Sequence, residues 1–253
     1  MRIFVLLLSV ALFGAAKLPA EQAISAAHRD LHVRAVAFDL GLREQIGQLG
    51  FIAALSGFRS LVADALFIQA QVAWERTEWG RVLLLFQQVT TLQPRAILFW
   101  DMAAWHMAWN ASTAAMNDSA QPRLALRIKA QREYFQLGKD FLERGIKNNP
   151  DRPQLYEAMA RLYRDKYSDH EHAAEFFGKA AGLPGAPSYA KRFAAYELSH
   201  CEGREREAYD RLRALYALGE SERLPTLIQL LKEFQIKLAI PAEQRIPDTE
   251  VQL

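Results

Sequence analysis

The sequence predicts an all-α protein, an α-solenoid of antiparallel helix hairpins, and three observations support this prediction. Hydrophobic residues make up 51% of the 253 residues and recur at helical spacings. Pro150 and Pro184 each close such a run and stand 34 residues apart. The short stretch from Pro94 to Asn110 holds three of the five tryptophans, at positions 100, 105 and 109. Helical spacing spreads these three around the axis, so a single core face cannot bury them all.

The charge and motif content argue against several function classes. A net charge of +2 indicates no concentrated basic face, so no nucleic-acid partner is expected. The single cysteine, Cys201, cannot form an intramolecular disulfide. The sequence contains no glycine-rich phosphate loop, serine elbow or supported carboxylate pair. We therefore predict no catalytic residue, no metal site and no cofactor, and we expect that the protein is not an enzyme.

Two clusters resemble chemical sites but are better explained as structure. Between Asp169 and His172, the two histidines stand two residues apart, which points them to different sides of a helix. Asp169 is instead predicted to cap the helix that follows. Adjacent helical positions likewise separate His200 from Cys201, so this pair is not expected to act as base and nucleophile.

Residues 1–20 are predicted to be a signal peptide or a membrane anchor. After Arg2 come 14 uncharged residues, IFVLLLSVALFGAA, which end before Lys17. As a helix they would span about 21 Å, less than the roughly 30 Å hydrocarbon core, which favours a signal peptide. An uncleaved anchor and a buried amino-terminal helix stay open as alternatives. We expect a chain exported across the cell membrane or anchored in it through the amino terminus, periplasmic or otherwise extracytoplasmic if bacterial.

Residues 21–60 are predicted to form leader helices that cap the first repeat. Apolar residues at mixed spacings of three and four indicate helices over 24–38 and 42–55. Four glycines in this stretch lower its helix propensity and blur the boundaries.

A recurring pattern follows Pro94 and Pro150. An aromatic residue stands six positions after each proline, and the pattern continues as Trp100-x2-Ala103-Ala104-x2-Met107 and Tyr156-x2-Met159-Ala160-x2-Tyr163. A second pattern has a large residue between smaller ones, in Val82-x3-Phe86-x2-Val89, Gly138-x3-Leu142-x2-Gly145, Ala173-x3-Phe177-x2-Ala180 and Ala208-x3-Leu212-x2-Leu215. Small residues let two helices approach closely, and large ones fill the spaces between neighbouring pairs.

These patterns resemble the tetratricopeptide repeat (TPR) family, in which a 34-residue helix-turn-helix unit ends in proline. On that frame, about four degenerate repeats occupy residues 61–220, approximately at 61–94, 95–150, 151–184 and 187–219. The second repeat carries a long insertion, which is expected to form a loop near 117–122 and a long helix. The resemblance implies a solenoid in which each hairpin packs on its neighbours.

Residues 221–253 are predicted to form a capping helix and a tail. A heptad-like stripe that would cover the last hairpin consists of Leu224, Leu227, Leu231, Phe234 and Leu238. Because Leu230, Ile236 and Ile240 add further apolar surface, self-association through this helix is an alternative. The closing residues, PAEQRIPDTEVQL, are expected to be frayed.

The resemblance also implies a concave groove lined by the first helix of each repeat. Its groove-facing places correspond here to Phe67, Trp74, Asp101, Trp105, Trp109, Arg161 and Arg164. Ala108 and Glu157 fall at further groove places, whereas Trp100 falls on the core side.

The sequence therefore predicts a non-catalytic protein–protein interaction scaffold, an exported or membrane-tethered subunit of a cell-envelope assembly. A protein partner would place a peptide or a helix in the aromatic groove. The alternative is a carrier that holds a small hydrophobic ligand, such as a lipid, in the same groove. Whether the chain itself fills the groove stays open at this point.

Overall fold

The computed structural model describes residues 57–247, and the structural statements below refer to that range. The predicted signal or anchor at 1–20, and the predicted leader helices at 24–38 and 42–55, lie outside the described residues. Within 57–247 the chain forms helices and turns and no strand, so the all-α prediction is confirmed.

Four helix pairs follow one another along the chain. The first pair is α1 (Arg59–Glu75) and α2 (Trp79–Leu92). The first helix of the second pair is divided into α3 (Ile97–Trp105), a π-helical segment (His106–Ala111) and α4 (Ser112–Met116), and the second helix is α5 (Leu124–Asn148). The third pair is α6 (Pro153–Leu162), extended by a second π-helical segment (Tyr163–Tyr167), and α7 (His170–Ala181). The fourth pair is α8 (Tyr189–Leu198) and α9 (Glu205–Tyr216).

A single helix, α10 (Pro225–Lys237), follows the fourth pair between two 3-10 turns (Glu220–Glu222 and Ala242–Gln244). The most extensive contacts join helices that are neighbours in the chain, both within a pair and from one pair to the next. Such contacts form without long loops, because each connection only has to reverse the chain.

Local sequence signals explain several helix boundaries. Pro153 and Pro225 are the first residues of α6 and α10, where the missing N–H costs no helical hydrogen bond. The Oδ1 atom of Asp169 accepts the backbone N–H of His172 at 3.0 Å, which confirms the predicted cap of α7. Between α4 and α5, residues 117–123 form a loop, so Pro122 lies just before the long helix.

Helix α5 approaches the first helix of its pair closely at Gly138. A Cβ atom on Gly138 would lie 2.7 Å from the Cβ atom of Ala108 and 2.9 Å from the carbonyl oxygen of Ala104. Both distances are shorter than carbon contacts allow, so only glycine fits without a shift of the backbone. Trp100 and Met107 are fully buried in the same pair. The small residues of the second pattern therefore have the packing role that the sequence indicated.

The apolar stripe of α10 is largely buried against the fourth pair. Leu227, Leu231 and Phe234 belong to one buried cluster with Leu212 and Leu215 of α9. Towards the outside, α10 leaves Ile236 exposed. The surface that this helix offers for self-association is therefore smaller than its composition suggested.

The prediction that the closing residues are frayed is wrong up to the end of the described range. The side chain of Ile246 is buried in the same cluster as α10. Arg213 donates a hydrogen bond from Nη1 to the backbone oxygen of Gln244 at 2.6 Å, and Arg245 donates from Nε to Ile240 O at 2.8 Å. A single buried isoleucine and two arginine bonds fix this segment, which looked polar by composition.

Over residues 57–247, no helix is both long and apolar enough to cross a membrane.

Candidate functional site

The predicted partner-binding residues lie on the first helices of three successive pairs. Helix α1 carries Phe67 and Trp74, α3 carries Asp101 and Trp105, its π-helical extension carries Trp109, α6 carries Arg161, and the second π-helical segment carries Arg164. We call these seven residues the first-helix row. Side-chain contacts connect the row from one helix pair to the next.

The aromatic end of the row contains two exposed tryptophans. Trp74 is 36% exposed and Trp105 is 45% exposed. Both rings contact the imidazole of His106, with ring centroids 5.3 Å and 5.2 Å away. We call Trp74 and Trp105 the indole pair. Phe67, in contrast, is half-buried and packs with Phe99 at 5.3 Å, so it supports the row from inside.

His106 lies beneath the indole pair and is almost completely buried, with 1% of its surface exposed. Its Nδ1 atom lies 3.2 Å from the amide Nδ2 of Asn110, which can only donate. With the Asn110 amide donating to Nδ1, the neutral ring carries its hydrogen on Nε2, which is buried and has no hydrogen-bond partner within residues 57–247. Burial lowers the pKa of His106 to about 4, so the imidazole is neutral at pH 7.

Directly after Trp105, the helix continues as the π-helical segment. A π turn holds more residues than an α turn, so it rotates the following residues relative to a continuous α-helix. Ala108, which the repeat frame places in the groove, is fully buried against Gly138. This placement of Ala108 from the sequence is wrong, because Ala108 follows Ala104 by four residues and both meet α5 at Gly138.

Trp109 is covered in part by the chain itself. The ammonium group of Lys166 lies 4.9 Å from the centre of the Trp109 ring and 5.7 Å from that of Phe135. Burial lowers the pKa of Lys166, as expected for an ammonium group held between aromatic rings. A cation stacked on an indole occupies the face that a partner would use. The first helix of the second pair carries Trp100, Trp105 and Trp109. Of these three, only Trp105 therefore has a large exposed surface.

The centre of the row is a partly buried charged cluster. Glu157 is 3% exposed, and its Oε2 atom accepts the hydroxyl hydrogen of Tyr189 at 2.6 Å and lies 3.9 Å from Nη1 of Arg161. Burial raises the pKa of Asp101, and the positive charge of Arg161 opposes this rise while the negative charge of Glu157 adds to it. The sequence placed Glu157 in the groove, but the carboxylate is buried because Tyr189 and Arg161 satisfy it there.

Arg164 is also committed to residues of its own chain. Its Nε atom donates to Oδ1 of Asp165 at 2.7 Å, and its Nη1 atom lies 3.7 Å from Oε1 of Glu197. Glu197 is buried and also pairs with Nδ1 of His170 at 2.8 Å. Arg164 therefore connects the third pair to the fourth, whereas Arg161 pairs within α6.

Four residues that matter in this region were not singled out from the sequence. They are His106, Lys166, Glu197 and Tyr189. The first three each contact a member of the row, and Tyr189 donates to Glu157, which pairs with Arg161. For Glu197 a signal existed, because an acidic residue directly beside Leu198 in an apolar helix predicts a paired, buried charge. The partners of the other three depend on how neighbouring pairs stack, which single-helix patterns do not specify.

The two clusters that resembled chemical sites have structural partners. His170 pairs with Glu197, whereas Nδ1 of His172 lies 2.6 Å from Asp169. Across the described chain, no three His, Cys, Asp or Glu side chains are placed to hold a metal ion. Burial raises the pKa of the Cys201 thiol, which lowers its thiolate fraction at pH 7.

Comparison of this chain with protein-family models and with curated proteins gives no match. Its function has to be inferred from the exposed indole pair, the buried imidazole and the self-paired charges.

Proposed function

We propose that this chain is a degenerate tetratricopeptide-like α-solenoid that acts as a non-catalytic scaffold, an exported or membrane-tethered subunit of a cell-envelope assembly. The succession of helix pairs, each in contact with the next, supports a repeat architecture. The close approach at Gly138 supports it further, since small residues recur at such helix contacts in the family.

The exposed indole pair is the observation that carries this proposal. Trp100 in the same helix is 1% exposed and fills the core, so the chain can bury a tryptophan where stability requires it. Trp74 and Trp105 stay exposed although they lie next to one another across His106. Neighbouring exposed tryptophans are typical of interaction surfaces, because buried tryptophan contributes much of the binding energy at interfaces.

The charged part of the row has a different role in this proposal. Arg161 and Arg164 both pair with carboxylates of their own chain, and the pair between Arg164 and Glu197 stiffens the junction of the third and fourth pairs. The partner segment then binds mainly at the aromatic end, over Trp74 and Trp105. A short peptide or one face of a helix is the size of ligand that such a site accommodates.

Crosslinking in native membranes tests the proposal. The wild-type chain, a Trp74→Ala/Trp105→Ala variant and a Leu124→Ala variant would be compared by capture and mass spectrometry. Leu124 is an exposed apolar residue on α5 outside the row, so it controls for loss of apolar surface. We expect a specific protein partner that is retained by Leu124→Ala and reduced at least about tenfold by the double variant.

Two outcomes would contradict the scaffold. Equal capture by all three forms would remove the indole pair as the binding site. Copurified lipid without a protein partner, detected by native mass spectrometry, would favour the small-ligand carrier. Sequencing the mature amino terminus in the same preparation distinguishes a cleaved signal from a retained anchor.

A further inference from the structure

We propose that the indole pair, His106 and Gln71 form an anchor subsite for one apolar side chain of the partner peptide, and that a main-chain carbonyl of that peptide accepts the hydrogen on Nε2 of His106. This inference rests on the proposed function, since it assumes that a peptide binds at the aromatic end of the first-helix row.

Two buried donors without acceptors lie at this end of the row. They are Nε2 of His106 and Nε2 of Gln71, and each is inaccessible and has no hydrogen-bond partner in the described part of the chain. Gln71 precedes Trp74 by three residues, so the two side chains share a face of α1. A buried N–H without an acceptor destabilises the protein. Such groups are expected where a ligand supplies the missing acceptor.

The exposed groups of the subsite are also donors. Within residues 57–247, the indole N–H groups of Trp74 and Trp105 have no hydrogen-bond acceptor, whereas that of Trp100 donates to Pro94 O at 2.9 Å. The subsite thus combines aromatic surface with N–H groups from an imidazole, an amide and two indoles. A ligand that matches it brings an apolar side chain and oxygen acceptors, which is the chemistry of an extended peptide.

Charge favours a neutral acceptor over a carboxylate. The imidazole is neutral at pH 7, and Asp101 stands one turn before Trp105 on the same helix. In the described row the arginines, Arg161 and Arg164, are paired with carboxylates. A carboxylate ligand would therefore compete with these existing ion pairs, whereas a main-chain carbonyl needs no cation.

Access to Nε2 requires one indole to move. Nε2 is inaccessible in the ligand-free chain, and of the three rings within residues 57–247 that contact the imidazole, Phe86 is buried while Trp74 and Trp105 are partly exposed. These rings meet the imidazole at 58° and 65°, so neither is stacked flat on it. Because both indoles are partly exposed, either one can turn outward, and the apolar side chain of the ligand then takes its place.

A small blocked amino acid provides the probe. We would titrate the full chain, labelled with ¹⁵N at histidine and tryptophan, with N-acetyl-phenylalanine methylamide. N-acetyl-alanine methylamide is the control without a ring. We expect the Nε2 signal of His106 and the indole signals of Trp74 and Trp105 to shift together, with a Kd on the order of 1 mM for so small a ligand. The alanine probe should bind about tenfold more weakly or not at all.

Two His106 variants separate a binding role from a packing role. His106→Phe keeps a ring but removes the donor, and should raise the Kd about tenfold without lowering the melting temperature. His106→Gln restores an N–H near the position of Nε2 and should return the Kd to within about threefold of wild type. If His106→Phe does not fold, Gln71→Met removes the second donor and should weaken binding in the same direction.

The outcomes distinguish this subsite from the scaffold itself. An unchanged Kd in His106→Phe, or in Gln71→Met where the first variant fails to fold, would overturn the subsite. So would a titration in which no His106 signal moves, since a bound water then satisfies Nε2. If the native partner still depends on the indole pair in those cases, the proposed scaffold stands without the subsite. If the native partner binds equally well without the indole pair, the scaffold proposal itself is contradicted.

Discussion

Gly145 of α5 lies so close to Trp100 of α3 that a Cβ atom on Gly145 would stand 2.9 Å from both the Cβ and the Cγ atoms of Trp100. The indole is fixed in this position from its other side, because its Nε1 atom donates to Pro94 O at 2.9 Å. Asn149 donates from Nδ2 to the same oxygen at 2.8 Å. The indole of Trp100 therefore cannot move away from a larger residue at 145 without breaking its hydrogen bond to Pro94 O.

Gly145→Ala should destabilise the chain by up to about 2 kcal/mol. Alanine gains about 1 kcal/mol in helix propensity over glycine, but overpacking a fixed core contact typically costs about 1–3 kcal/mol. The contact dominates here because its partner atoms belong to the base of a buried indole. Urea unfolding followed by circular dichroism measures the change in free energy.

Gly178 provides the matched control in α7. A Cβ atom on Gly178 would meet nothing within 4 Å. Gly178→Ala should therefore keep only the propensity term and stabilise the chain by up to about 1 kcal/mol. Stabilisation of similar size by both substitutions would show that α5 and α3 can separate, against the close approach described here.

Trp100→Ala and Trp105→Ala should differ sharply in stability. Trp100 is fully buried, so its truncation should cost about 3–5 kcal/mol. Trp105 is nearly half exposed, so its truncation should cost less than about 1 kcal/mol and act on partner binding instead. Comparable losses of unfolding free energy in the two variants would refute the division of this helix into a core face and a binding face.

The sequence predicted the helices and this division of faces because both depend on local spacing. Small residues at 138 and 145 and large ones at 100 and 142 are enough to indicate which side of each helix is buried. Trp105 is exposed and Trp100 is buried, and the binding role of the row stays a prediction.

Two features of the site could not be predicted from the spacing of residues along the sequence. The π-helical segment after Trp105 departs from the 3.6-residue period, and a sequence pattern with a fixed period does not predict such a departure. The pairing of Arg164 with Glu197 and of Glu157 with Tyr189 joins residues more than 30 positions apart. These contacts follow from how one helix pair sits on the next, which depends on the whole packed structure.

Tyr189→Phe should destabilise the chain by about 1.5–3 kcal/mol. The substitution removes the hydroxyl that donates to the buried carboxylate of Glu157 at 2.6 Å, and hydrogen bonds to charged groups are among the stronger ones. Tyr156→Phe is the control, because its hydroxyl donates to the exposed Pro150 O at 3.0 Å and water can replace it. That control should change the unfolding free energy by less than about 1 kcal/mol. A neutral Tyr189→Phe would mean that Arg161 alone satisfies Glu157.

The neutral His106 should make the chain less stable in mild acid. Burial lowers its pKa from 6.5 to about 4, so between these values the unfolded chain binds more protons than the folded chain. Above pH 6.5 His106 is neutral in both states and the unfolding free energy is at its full value. As the pH falls from 6.5 to about 4, the unfolding free energy decreases by a total of roughly 3 kcal/mol. His106→Phe has no ionisable group at this position. Both proteins have the same carboxylates, so the effect of the carboxylates on the unfolding free energy cancels when the two pH profiles are compared. Unfolding free energies measured from pH 8 to pH 4 should therefore diverge, with wild type losing more, and parallel profiles would show that His106 is protonated in the folded chain.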